Sequence, residues 1–296
     1  MTRGDFSKLI KFRLTFLVVF SASISFIIAA KANGNNTWGA LYSTFMWQNW
    51  GKLVIGGFLV TAAANCFNEV IEVDLDKLMK RTKDRPMPAG RMTTGQGLVL
   101  GLGMGMAGTY LLGSLNILTG LLSVFSILLY AFAYTPLKRK SPIAVFVGAI
   151  PGALPALIGY VAGQPHGRID EIALILFSIQ FVWQFVHFWA IAWVLDDDYK
   201  LAGFRLLPTQ KRDKGSAIIT LMFAIILVPV SLLPTIYHYG GYYVGGVSLV
   251  CSLIFLYQAI DLLRTLQIKE ARKLMFGSFF YLPVVQLMFL FDFIAK

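Results

Sequence analysis

The chain predicts an all-α integral membrane protein, a bundle of nine transmembrane helices with its N-terminus inside and its C-terminus outside. Three observations carry this. First, 57% of the 296 residues are hydrophobic and only 14% are charged, where a soluble domain carries about a quarter charged. Second, the apolar residues come in runs of roughly 20, the length that crosses a bilayer as helix. Third, every Lys and Arg except Lys31, Lys52, Arg168 and Lys296 falls on one side once the runs are threaded alternately. That bias is the positive-inside rule, and it sets the orientation.

The first run, 12–30, follows Lys8 and Lys11 directly. It is too long for a signal-peptide core and shows no small-residue cleavage pattern, so it reads as a retained helix. No Arg- and Ser-rich transit segment precedes it, which points to a prokaryotic inner membrane. The second run, 53–73, ends in a burst of charge. Runs 95–113 and 115–134 are separated by almost nothing and predict a tight helical hairpin. Run 142–162 carries internal Pro and Gly, which membrane helices tolerate, and run 170–193 follows it. Runs 216–237, 242–263 and 276–294 complete the set. No run shows the alternation of a membrane β-strand. No separate soluble domain is visible, so 1–296 reads as one domain.

The net charge of +11 raises nucleic acid as a partner, but its confinement to inside loops is what orientation and anionic lipid require. Cys66 and Cys251 both fall within predicted spans and no CxxC occurs, so disulfide, zinc and redox readings have no support. No GxxxxGK[ST] loop is present. The glycines of Gly101–Gly105 lie within a span and read as helix-packing residues.

Two inside connections are long and polar, 74–94 and 196–215, and each begins with acidic residues at the end of a span. Carboxylates beside hydrocarbon are costly, so they pair, bind ions or line a wet cavity. In the first, Asn68, Glu72 and Asp76 recur every four residues. On a helix each step turns about 40°, so the three share one face. Asp74 points about 240° away from Asn68 and ranks lower. Aligned oxygen ligands suit Mg²⁺, and a hydrated Mg²⁺ on a few carboxylates suits a diphosphate. Lys80, Arg81 and Arg85 follow and can hold the same anion. The alternative is a solvated helix end paired with Lys77, Lys80 and Arg81. The second connection begins Asp196, Asp197, Asp198, Tyr199, Lys200. Three adjacent carboxylates repel unless a cation is near, and a solvated turn is the alternative here. Together the two clusters predict a two-sided metal–diphosphate clamp. His187 lies in an aromatic stretch of the span before the second cluster. A hydrogen-bonded core histidine and a haem iron ligand both fit it.

The spacing Asn68–Glu72–Asp76 resembles the first acidic motif of the UbiA-type intramembrane prenyltransferases. The continuation DKLMKRTKDRP from Asp76 to Pro86 narrows the resemblance to the protoheme IX farnesyltransferase (heme O synthase) branch. Lys11–Arg13, Tyr134–Thr135–Pro136 before Lys138–Lys140, GALPALIGY at 152–160, WQFVHFWAIAW at 183–193 and the run from Asp198 to Pro208 agree with it. Two positions depart from the family pattern: Glu72, where Asp is commoner, and Glu69, where a second Asn is common. Glu72 keeps its carboxylate, so metal binding survives the change.

The resemblance implies nine helices, farnesyl diphosphate and heme B as substrates, and Mg²⁺ as the metal. It implies Asn68, Glu72, Asp76 and Asp198 as catalytic metal ligands, with Asp197 as a further metal ligand. Lys80, Arg81, Arg85, Tyr199, Lys200 and His187 become substrate contacts, with His187 ligating iron or positioning the porphyrin. It places the active site on the cytoplasmic face, among membrane lipids, with heme A synthase or terminal oxidase assembly factors as protein partners and no nucleic acid. A quinone-pathway prenyltransferase of the same fold is the alternative. A cation-coupled transporter is a weaker one, because the deep spans are nearly uncharged.

Overall fold

The computed structural model describes residues 2–33 and 44–295. In chain order the helices are α1 Arg3–Leu9, α2 Phe12–Asn33, α3 Thr44–Ile71, α4 Val73–Asp76, α5 Thr94–Gly113 and α6 Ile117–Leu128. There follow a π-helical segment Leu129–Tyr134, then α7 Thr135–Leu137, α8 Ala144–Gly163, α9 Glu171–Val194, α10 Asp196–Leu201, α11 Lys214–Ser231, α12 Leu233–Ile236, α13 Tyr242–Thr265 and α14 Ile268–Phe291. Among the described residues, eight stretches are long and apolar enough to cross a membrane. The remaining predicted run, 95–113, is the 20-residue α5. Gln96 and the repeated glycines of α5 dilute its apolarity, and it is not among the eight.

Local chemistry sets the starts of these helices. Thr93 and Gln96 form a reciprocal capping box on α5. Asn116 caps α6 through the Thr119 N–H. Asp170 accepts from the N–H groups of Ile172 and Ala173 at the start of α9, and Asp213 from Ser216 at the start of α11. Each cap satisfies donors that a helix N-terminus otherwise leaves unpaired.

Packing closes the long helices into a ring. α2 lies between α3 and α8, α8 leads to α9, α9 meets α11 and α14, and α14 returns to α2. α5 packs on α3, and α13 bridges α11 and α14. Small residues permit the closest approaches. A Cβ on Gly108 of α5 would lie 2.8 Å from the Gly56 carbonyl oxygen of α3, and one on Gly159 of α8 would lie 2.0 Å from the Ala22 carbonyl oxygen of α2. The expected packing role holds for Gly101, against Phe67, and for Gly105, against Ala63, but Gly103 faces open space. The predicted hairpin of α5 and α6 turns where Gly113 and Gly120 touch.

The second predicted run begins earlier than expected, because the helix already includes residues 44–52. At its far end the helical ladder continues through the break at Glu72. The Glu72 N–H donates to the Asn68 carbonyl and the Asp76 N–H to the Glu72 carbonyl, at 3.0 and 2.8 Å. The four-residue spacing therefore does place Asn68, Glu72 and Asp76 along one face.

Candidate active site

The acidic end of α3 is buried. Asn68, Glu69, Glu72 and Asp76 are 1, 0, 3 and 0% exposed. Burying this much charge requires partners, and three cations from distant points of the chain supply them. Lys11 donates to Asn68 Oδ1 at 2.7 Å. Lys138 lies 2.6 Å from Glu72 Oε1. Arg85 places Nη1 2.6 Å from Asp76 Oδ2 and Nε 3.4 Å from Glu69 Oε1. Asn68 Nδ2 donates to Glu72 Oε2 at 2.7 Å and to Thr135 Oγ1 at 3.2 Å. Burial pushes the ammonium groups of Lys11 and Lys138 below their ordinary range, against the pull of the nearby carboxylates.

The π-helical segment delivers Thr135 to this cluster. Its hydroxyl also donates to the Tyr130 carbonyl at 2.9 Å. The wider turn sets Tyr130 and Tyr134 on the inner wall of the bundle, and single π-turns of this kind recur at functional sites. The Lys138 ammonium sits 5.0 Å from the Tyr134 ring centre and 5.2 Å from that of Phe204, within cation–π range.

The two long polar connections meet at this end. Asp198 Oδ1 accepts from the Lys80 N–H at 2.7 Å, and Oδ2 from the Arg81 N–H at 3.4 Å. The Arg81 guanidinium lies 5.9 Å from the centre of the Tyr199 ring. Burial raises the Tyr199 phenol. The side chains of Lys80 and Arg81 stay exposed.

The other expected residues go elsewhere. Asp197 is exposed and both its oxygens accept from Nη1 of Arg212, at 3.1 and 3.0 Å. Asp196 pairs with Lys200 at 2.7 Å and Arg212 at 3.6 Å. Successive helical residues turn by about 100°, so three adjacent carboxylates cannot all face one point. Asp74 pairs with Lys77 at the surface, as its angle around the helix requires. Among the described residues, no group of three or more His, Cys, Asp and Glu side chains is arranged to hold a metal. Of the predicted set of Asn68, Glu72, Asp76, Asp197 and Asp198, three of five are thus gathered. The first three share the buried cluster, while Asp198 braces the basic loop and Asp197 is turned away.

The donor set in the cluster nonetheless suits a hard cation. Oε2 of Glu69 and Oδ1 of Asp76 are buried with no hydrogen-bond partner. Unsatisfied carboxylate oxygens in a dry site are costly, and oxygen-rich coordination is what Mg²⁺ takes. Glu69, treated in the sequence as a departure from pattern, is therefore part of the cluster. Lys11, Lys138 and Thr135 were also missed as site residues. Their sequence signals were basic or polar character at a span boundary and membership of short stretches that agree with the family resemblance, neither of which assigned them a role.

Beyond the acidic cluster a cavity of about 270 Å³ runs into the bundle. Asn65, Tyr130 and Tyr134 line it near the charged end, and Val60, Leu17, Phe20, Trp183 and Leu282 supply apolar wall. Ser21, Gln180, Gln184, Gln286 and His187 are among its polar lining residues. His187 stacks on Trp183 with ring centres 4.5 Å apart, and its Nδ1 lies 2.7 Å from Ser278 Oγ. Ser278 spends its one hydroxyl proton on the Met275 carbonyl, at 2.6 Å. The histidine must therefore be the donor through Nδ1, which leaves the Nε2 lone pair free in the neutral ring. His166 and His238, read as incidental, line no part of this cavity.

The model of the UbiA prenyltransferase family matches residues 15–282. A protoheme IX farnesyltransferase of Cytophaga hutchinsonii is 43% identical over 96% of this chain and 96% of its own length. One of Christiangramia forsetii is 39% identical over 98% of this chain and 93% of its own. In structure, the chain is similar to a digeranylgeranylglyceryl phosphate synthase, with TM-score 0.78, 19% identity and coverage of 98% of this chain and 97% of that one. It is also similar to a UbiA homologue from Archaeoglobus fulgidus bound to GPP and Mg²⁺, with TM-score 0.61, 12% identity and coverage of 96% and 99%.

Proposed function

The chain belongs to the UbiA prenyltransferase family, and from that premise we propose that it transfers the farnesyl group of farnesyl diphosphate to a vinyl group of protoheme IX, making heme O. One observation carries the reading of the site. Three buried carboxylates and three buried or half-buried cations converge where the apolar cavity begins. A cleft charged at one end and apolar along its length fits an amphiphile with an anionic head and a hydrocarbon tail.

Asn68, Glu69, Glu72 and Asp76 would hold the metal. Bound Mg²⁺ would draw charge from the diphosphate and so help it leave. Arg85 neutralises Asp76 and Glu69 and keeps both carboxylates in place. Lys11 and Lys138 add positive charge at the mouth of the cavity, and Lys80 and Arg81 add more from the loop that Asp198 fixes. These cations favour the developing diphosphate charge. Tyr130 and Tyr134 stand between the charged end and the cavity, where ring faces favour a cation. The apolar walls keep bulk water from the allylic cation, so the heme vinyl group meets it first. His187, with Nε2 free, faces the space the acceptor would fill.

The proposed topology is nine spans, with α5 counted as the ninth and the N-terminus on the cytoplasmic side of a prokaryotic inner membrane. It follows from the distribution of Lys and Arg. It puts the acidic cluster and the basic loop on the cytoplasmic face, within reach of soluble farnesyl diphosphate. The whole chain acts as one domain in this reading.

The acceptor is the discriminating question. Purified protein is incubated with farnesyl diphosphate, Mg²⁺ and either heme B or an aromatic quinone precursor. Pigments and quinones are then separated and weighed by mass spectrometry. Farnesylated heme is the expected product. A prenylated quinone precursor in its place would overturn the assignment of acceptor and leave the prenyl transfer standing.

A further inference from the structure

Joining farnesyl C1 to the outer vinyl carbon leaves a cation on the inner vinyl carbon, next to the porphyrin. To make heme O, water must supply a hydroxyl there. The rest of the site is built to exclude water, so this one molecule must be held. Resting on the farnesyl-transfer reading above, we propose that Gln184 and His187 hold this water, and that His187 Nε2 takes its proton.

The hydrogen bonds argue for it. Gln184 donates both amide hydrogens, one to the Ala149 carbonyl at 3.0 Å and one to the Gln180 carbonyl at 3.1 Å. That fixes the orientation of the amide, because the flipped form would set its oxygen against two carbonyls. Oε1 is left with no donor among the described residues. It lies against Gly152, where even a Cβ would fall 1.8 Å away. Gln184, Gly152 and His187 all line the cavity.

Gln180 shows the contrast. Its Oε1 accepts from Ser21 at 2.8 Å and from Gln286 at 3.1 Å, and its Nε2 donates to the Gly152 carbonyl at 2.8 Å. That side chain ties helices together and has no acceptor to spare. Gln184 and His187 each have one. They are three residues apart on α9, so their Cβ atoms are neighbours about 5–6 Å apart on one face. Both side chains line the same cavity, and a single water held between them can donate one hydrogen to each.

The step balances. The water oxygen gives a lone pair to the inner vinyl carbon and forms the C–O bond. Its O–H bond towards His187 breaks, and the proton goes to Nε2. The Nδ1–H bond to Ser278 Oγ stabilises the imidazolium. The proton then leaves to solvent with the released diphosphate, restoring the neutral ring. The same geometry keeps the water tethered and away from the allylic cation.

The test is product identity. Wild-type protein, His187→Phe and Gln184→Met are each given heme B, farnesyl diphosphate and Mg²⁺ in ¹⁸O-labelled water. Wild type should give farnesylated heme carrying one ¹⁸O. His187→Phe preserves the stack on Trp183 and removes the base. Whatever its overall rate, the hydroxylated share of the farnesylated heme it forms should fall on the order of a hundredfold. The cation then loses a proton, and the product is lighter by one water. Gln184→Met should shift the same ratio about tenfold. Wild-type proportions of hydroxylated product in both variants would overturn the proposal. So would a folded variant that makes no farnesylated heme, since the residue would then act before the water step. His187→Asn replaces His187→Phe should the latter fail to fold. If wild type itself makes no farnesylated heme, the farnesyl-transfer reading fails instead, and the two failures are distinguishable.

Discussion

Replacing Arg85 with Met is the most informative single perturbation of the charged end. The Arg85 side chain is 14% exposed and serves Asp76, at 1%, and Glu69, at 0%. Met keeps the aliphatic stem and removes the charge. Removing one partner of a buried ion pair costs about 3–5 kcal/mol. The cost has a ceiling, because an abandoned carboxylate can take up a proton. At pH 7, protonating an ordinary aspartic acid costs about 4 kcal/mol, from roughly three pH units at about 1.4 kcal/mol each. The variant is therefore expected to lose about 4 kcal/mol at pH 7. At pH 5 the same protonation costs only about 1.5 kcal/mol, so the deficit should shrink to that size. The sign follows from linkage. A carboxylate that prefers its neutral form when folded is most stable at low pH, and that stability is lost as pH rises. Thermal unfolding in detergent reads the effect. For a chain of this size about 4 kcal/mol lowers the midpoint by roughly 8–16 °C. Adding Asp76→Asn to Arg85→Met should recover part of the loss at pH 7. A deficit under about 1 kcal/mol, or one unchanged between pH 7 and pH 5, would refute the claim that Arg85 neutralises buried acids.

Two further outcomes are expected. Asp5, buried at the start of α1, is held down to about 2 by the Thr2 N–H and hydroxyl and by Arg91, and the exposed Asp84 is lowered by Lys8 and Arg91. Both depressed carboxyls contribute stability present above about pH 4 and lost as pH falls towards 2, so Arg91→Ala should raise the pH of acid unfolding, read by circular dichroism. Gly159→Val should abolish folded expression, because any Cβ there meets the Ala22 backbone at 2.0 Å and forces α2 and α8 apart; normal yield on size-exclusion chromatography would contradict that packing.

The sequence made the helices legible because a bilayer demands long uninterrupted apolar runs. It made Asn68, Glu72 and Asp76 legible because a four-residue step keeps side chains on one face. It failed where chain-distant groups converge. Nothing local to Lys11 or Lys138 says that each closes on the end of α3, and Glu69 became visible only through Arg85. The Asp196–Asp198 run misled in the other direction. Its composition suggested one metal jaw, but helical geometry splits the three carboxylates between Arg212, Lys200 and the backbone of the basic loop. His187 was read as core or ligand. The Ser278 hydrogen bond makes it a cavity-lining histidine of fixed tautomer, which no sequence pattern encodes.

Prenyl transfer by this protein requires the acidic end of α3 to act on the prenyl diphosphate. The most direct measurement is farnesylated heme formed by purified wild type and by Asp76→Asn, each with heme B, farnesyl diphosphate and Mg²⁺, alongside the unfolding temperature of both. Wild type should form the product and lose it on chelation of the metal. Asp76→Asn should fold and form none above background. Turnover by Asp76→Asn at the wild-type rate would contradict the assignment.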